Sequence, residues 1–172
     1  SSGQLEITLA EVPVPELGDN DVLIKVEATP VNPSDLGLLL GPADLSTARQ
    51  EGTADNPRVV ADIPEKLMRM VQARVDQSLP VGNEGGGVVV AAGSSDAAQA
   101  LIGKVVGAVG GAMYTEYRVV PAHMCLVMNE GTTSEEAASC FVNPLTALGM
   151  VETMRMEGHT ALVHTAAASN LG

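Results

Sequence analysis

The sequence predicts a mainly β domain with helices, a partly open β-barrel that ends in the first strand of an α/β unit. Three observations carry this. Short segments of alternating or glycine-interrupted apolar residues recur along the chain, and Gly, Pro or Asn breaks each of them. Residues 161–172, ALVHTAAASNLG, then read as a short buried strand running into a tight turn of small residues.

The elements follow in order. Leu5, Ile7 and Leu9 alternate with Glu6, Thr8 and Ala10, and Val22, Ile24 and Val26 alternate with Leu23, Lys25 and Glu27, the period of half-buried strands. Gly18-Asp19-Asn20-Asp21 turns between them. Asn32-Pro33-Ser34-Asp35 opens a short helix, with Asn32 as cap and Pro33 at the first helical position, and Gly41-Pro42 ends it. Residues 42–63 are polar and read as a loop. Residues 64–79 place Leu67, Val71 and Val75 on one helical face with Asp62 as candidate cap, so a loop and helix are expected at the surface. Four strands follow: GNEGGGVVVAAG from Gly82, KVVGAVG, MYTEYRVV and CLVM. Thr133-Ser134-Glu135-Glu136 is a capping box before a helix through Cys140, Asn143-Pro144 opens a second helix towards Arg155, and a strand is expected over 160–164. The expected organisation is a β domain over 1–130, connecting helices over 131–158, and over 159–172 the opening of a domain whose remainder is not in the chain.

Composition narrows the function classes. The chain has 172 residues, 45% hydrophobic and 17% charged, with 18 glycines and 10 prolines, which fits a turn-rich globular domain. With no Trp, one Phe and two Tyr, the core must be aliphatic, and there is no aromatic platform for stacking bases or sugars. A net charge of −12 argues against a nucleic-acid partner, which needs clustered Lys and Arg. No apolar run reaches the length of a membrane span. Two cysteines, Cys125 and Cys140, suggest neither a disulfide framework nor a Cys-rich zinc module. A reduced, cytoplasmic setting is the expectation.

The closing strand and turn are how a dinucleotide-binding domain begins, where the N–H groups of the following helix hold the pyrophosphate. Taken in order, VNPSD at 31–35, GNEGGGVVVAAG at 82–93, GKVVGAVGG at 103–111, YTEYRVVPA at 114–122, EEAASCFVNPLTAL at 135–148 and ALVHTAAASNLG resemble the medium-chain dehydrogenase/reductase superfamily. The resemblance implies a GroES-like catalytic domain followed by a nicotinamide-binding Rossmann domain, the chain holding the first and only the opening strand of the second. Zinc alcohol dehydrogenases carry a Cys-His pair after the second strand and Gly-His-Glu in the glycine-rich segment. The matching places here hold Asn32-Pro33 and Gly82-Asn83-Glu84, without the thiolate and imidazole that zinc favours. The chain therefore resembles the zinc-independent branch of quinone oxidoreductases and 2-enoyl thioester reductases, and no metal ligands are expected.

That resemblance implies NADP or NAD as cofactor, NADPH favoured, and hydride transfer to a quinone or an α,β-unsaturated carbonyl. It implies Asn32 and Asn143 as catalytic amide donors, and Asn143, Thr146, Ser169, Asn170, Leu171 and Gly172 as cofactor contacts. Both asparagines precede proline and are equally placed as helix caps. Glu84 is expected in a structural hydrogen bond, Asp35 as a first-turn helix acid, and His164 as a hydrogen-bonded core residue. Two departures stand out: residues 36–81 contain no Tyr, where enoyl thioester reductases of this type keep one, and of the glycine fingerprint only Gly172 remains. A zinc-type alcohol dehydrogenase relative and a non-catalytic fragment without its cofactor domain are the alternatives. The 172 residues alone are expected to be inactive, with homodimerisation, where it occurs, running through the absent domain.

Overall fold

A computed structural model describes residues 3–169 and 171–172. In chain order the elements are β1 (Gln4–Thr8), β2 (Asp21–Ala28), helix α1 (Pro33–Leu39), β3 (Asp44–Gly52), β4 (Pro57–Asp62), a 3-10 segment (Glu65–Arg74), β5 (Glu84–Ala92), α2 (Asp96–Gln99), β6 (Val105–Val109), β7 (Tyr117–Pro121), a 3-10 turn (Ala122–Met124), β8 (Cys125–Val127), α3 (Ser134–Ala137) and α4 (Val142–Met156). They fall into two compact units. One holds the described residues up to Pro13 together with Val31–Val81; the other holds Val14–Pro30 and Gly82 onward.

The second unit is a curled, half-open barrel of five antiparallel strands in the order β7-β2-β5-β6-β8. The alternation seen in sequence is realised in β2, where Val22 and Ile24 are fully buried. Register shifts between β2 and β5 at Leu23/Ile24 and Val26/Ala28 bend the pair, as bulges do. The core is aliphatic, as the missing aromatics require: Val22, Ile24, Val89, Leu101, Val106, Met113 and Val120 are its largest members. Helix α2, capped by the Ser95 hydroxyl accepting the Ala98 N–H at 3.3 Å, is too short to show a sequence period and was not expected.

The first unit differs from expectation in two places. Residues 42–63 are not a loop but contain β3 and β4, which form a three-stranded antiparallel sheet with β1 in the order β1-β4-β3. Polar residues make these strands because they pair with one another across the sheet: Arg58 of β4 meets Glu51 of β3 at 2.5 Å and Glu6 of β1 at 3.5 Å, and Arg49 of β3 meets Asp62 of β4 at 3.6 Å, with Arg49 also meeting Glu51 of its own strand at 2.9 Å. The expected helix over 64–79 is a 3-10 segment without a buried residue. Its expected cap, Asp62, belongs to β4 and accepts a hydrogen bond from the Gln4 amide at 2.9 Å. Without a side-chain cap or a buried face, this stretch has neither of the usual supports of an α-helix.

The strand expected over 160–164 is not paired among the described residues: Leu162 and Val163 are exposed, and the chain enters turns at Thr165. A strand is held by its neighbours' ladder, and none of the eight strands among the described residues pairs with this segment.

Candidate active site

The glycine run at the start of β5 organises the second unit. Gly82 (φ +95°) lies under the Tyr114 ring, where a Cβ would come within 2.6 Å of the Tyr114 backbone nitrogen, and the Tyr114 hydroxyl donates to the Pro30 carbonyl at 3.1 Å. Gly85 faces Thr29 and Met113, whereas Gly86 stands opposite Gly107 of β6 and both leave bare backbone beneath α3. A Cβ on Gly86 would strike the Ser134 carbonyl and lie 2.8 Å from the Ala138 nitrogen, and one on Gly107 would lie 2.7 Å from the Ala137 carbonyl. Helix α3 thus rests directly on the sheet. Its Thr133–Glu136 capping box forms as expected, and the Ser134 hydroxyl donates to Glu27 of β2 at 2.8 Å.

Glu84, first residue of β5, is 1% exposed. Its Oε2 accepts the N–H groups of Phe141 at 2.9 Å and Val142 at 2.8 Å, at the start of α4. Charge-assisted bonds of this kind contribute about 1.5–3 kcal/mol each and offset the cost of burying a carboxylate. The structural role expected for Glu84 is thereby located.

The expected site residues are distributed as follows. In the first unit Asn32 is 2% exposed and occupies the cap position of α1, and the buried Asp35 carboxylate accepts its backbone N–H at 2.8 Å, as a first-turn acid should. In the second unit Asn143 does not cap α4. It is the second helical residue, because the helix already begins at Val142 under Glu84. Thr146 lies one turn on, and its hydroxyl donates to the Val142 carbonyl at 2.6 Å. Ser169 sits in the final turn, where its oxygens accept the Gly172 N–H, Leu171 is partly buried, and Asn170 lies outside the described residues.

Gly172 packs against the backbone of Ala167 so closely that a Cβ has no room, and Nδ1 of His164 is enclosed without a hydrogen-bond partner among the described residues. The hydrogen-bonded role expected for His164 is thus not seen at Nδ1, which no donor or acceptor among the described residues reaches. A glycine without room for a Cβ suits the close backbone packing of a nucleotide-binding turn, while its N–H is here bonded to Ser169 and the Ser169 N–H to the Ala166 carbonyl. Among the described residues no group of three or more His, Cys, Asp or Glu is gathered as metal ligands require. Cys125 is half-buried, which pushes its thiol up to about 11, while His123 two residues away is exposed. No helix is long and apolar enough to cross a membrane among the described residues.

No protein-family model and no curated protein matches the chain. Solved structures do. A Mesorhizobium loti protein provisionally identified as an NADPH:quinone reductase is 31% identical over 92% of this chain, with a TM-score of 0.63, and the match covers 39% of its own length. A mycobacterial protein solved with NADPH is 24% identical over 84% of this chain and 36% of its own, with a TM-score of 0.54. The CurK enoyl reductase is 17% identical over 84% of this chain and 37% of its own, with a TM-score of 0.59. This chain therefore spans less than two-fifths of the length of the solved proteins it matches. The half-open barrel, the order of its motifs and the 31% identity over 92% of its length place the chain in the medium-chain dehydrogenase/reductase superfamily, on the branch of the quinone reductases and enoyl reductases.

Proposed function

We propose that the chain is the catalytic-domain portion of an NAD(P)H-dependent reductase that transfers hydride, without zinc, to a quinone or an α,β-unsaturated carbonyl. The observation that carries this reading is the 31% identity over 92% of the chain to the Mesorhizobium loti protein. Bound nicotinamide supplies the hydride. The chain supplies position and polarity: Asn143 and Thr146 on one side of α4 toward the nicotinamide, and the Ser169–Gly172 turn toward the phosphates. Asn32 is the candidate amide donor to the carbonyl oxygen that gains charge. Zinc independence rests on donor chemistry, since residues 32–33 and 83 offer amides and a proline where the zinc enzymes offer thiolate and imidazole. NADPH is the favoured cofactor, as in the names of two similar NADPH:quinone reductases and in the NADPH complex of the mycobacterial protein.

The test combines the intact mass of the native protein with NADPH and NADH oxidation in the presence of a naphthoquinone and an enone, with and without a strong chelator. Chelator-insensitive turnover of either acceptor by a polypeptide roughly twice as long as this chain supports the proposal. Turnover abolished by the chelator and restored by zinc would favour the alcohol dehydrogenase alternative. For the 172 residues alone we expect no turnover.

A further inference from the structure

Helix α4 starts without a cap of its own. Phe141 at the cap position has helical backbone (φ −103°, ψ −64°) and no capping side chain, and Pro144 has no N–H to offer. The first bond of the helical ladder to form is that from the Leu145 N–H to the Phe141 carbonyl, at 2.9 Å. The two N–H groups directly before Asn143 instead go to one oxygen of Glu84, 57 and 58 residues back in the chain. Glu84 is itself fixed, paired with Val109 of β6 and followed by three glycines that leave no slack against β2 and α3.

We infer that Glu84 is a positioning residue: through Phe141 and Val142 it sets the rotation and height of the first turn of α4, and so the place of the Asn143 carboxamide in the nicotinamide site. The inference rests on the proposed function for the part Asn143 plays. It assigns to a buried carboxylate, in a chain without the zinc enzymes' ligands, the work of holding a helix rather than a metal.

The test compares Glu84→Gln, Glu84→Asp and Glu84→Ala in the native protein by amide hydrogen exchange over residues 141–146 and by NADPH affinity. Glutamine keeps a carbonyl oxygen within reach of both N–H groups, aspartate withdraws it by one methylene, and alanine removes it. The expected result is exchange at 141–146 accelerated by about tenfold or more in the Asp and Ala variants and largely restored in Gln, with protection of Val89 and Val106 in the sheet unchanged. NADPH Kd should weaken in the same order, by about ten- to a hundredfold in Ala. Where Ala does not fold, Asp carries the comparison. Wild-type exchange at 141–146 in the Asp variant overturns the positioning role even if NADPH binds normally. A native wild-type protein that does not bind NADPH overturns the proposed function and the nicotinamide part of this inference, and the exchange result separates the two failures.

Discussion

Gly86 and Gly107 face each other across β5 and β6, and Ala137 of α3 sits on the backbone that both leave uncovered. Neither can gain a methyl group without displacing the backbone of α3. Gly86→Ala should therefore cost at least about 1–3 kcal/mol of stability, and Gly107→Ala a similar amount, measured by urea unfolding. A Gly86→Ala variant as stable as the wild type would show that α3 does not rest where described.

Two further backbone positions should move stability upward. Gly149 lies within α4 at an open groove of about 570 Å³ lined also by Met150, Met154 and Leu162, and a Cβ there meets nothing within 4 Å. Gly149→Ala should stabilise by about 0.5–1 kcal/mol, since alanine restricts the unfolded chain and favours helix. Ala112 presents the reverse case. Its φ of +57° is left-handed, in a turn whose Gly110 and Gly111 carbonyls accept from the Arg118 guanidinium. Relieving that strain with Ala112→Gly should stabilise by about 0.5–1 kcal/mol, net of the entropy glycine adds to the unfolded chain. Thermal unfolding of both variants checks the pair.

Burial pushes the Cys125 thiol up to about 11, so it is a poor nucleophile near neutral pH. Thiol reagents at pH 7–8 should modify it slowly in the native protein and rapidly once urea unfolds it. Because the folded state holds this proton more tightly than the unfolded state, the contribution to stability is complete below about 9 and is lost as pH rises towards 11. Cys125→Ala should flatten that alkaline limb of a Tm-versus-pH curve.

The charged ladder of the first unit predicts the opposite dependence. Arg58, hydrogen-bonded to Glu51, holds the Glu51 carboxyl below its usual value of 4.5. A depressed carboxylate adds stability above its unfolded value and loses it as pH falls through the folded one, so this contribution is lost below 4.5. Arg58→Met should make the acid limb shallower and reduce its sensitivity to salt, because these side chains are solvent-facing and screened. An acid limb and salt response unchanged by the substitution would show that the ladder contributes nothing measurable.

The strands of the curled sheet were legible because one face is buried, so Val22, Ile24, Val89, Val106 and Val120 had to be apolar. The capping box at Thr133–Glu136 was legible because its partners lie three residues apart. The sheet of β1, β4 and β3 was not, since only Val60 and Ala61 of β4 are buried and its cohesion comes from Arg and Glu pairs that look like loop residues in sequence. At the candidate site the glycine-rich segment could be read directly, whereas a structural Glu84 followed from its match to the zinc enzymes' glutamate in a chain without their ligands. The start of α4 could not: Asn143-Pro144 carries a local capping signature, whereas the cap that operates comes from a strand far away in the chain. Short-range signals announce helices that cap themselves and are silent on those capped by the fold.

That distant cap also bears on the order of assembly. A segment whose first turn depends on an acceptor 57 residues upstream cannot be secured until β5 has found β6 and the intervening loop has closed. Helix α4 should therefore consolidate late on the folding pathway, after the sheet, with mutations at Glu84 speeding unfolding more than they slow folding.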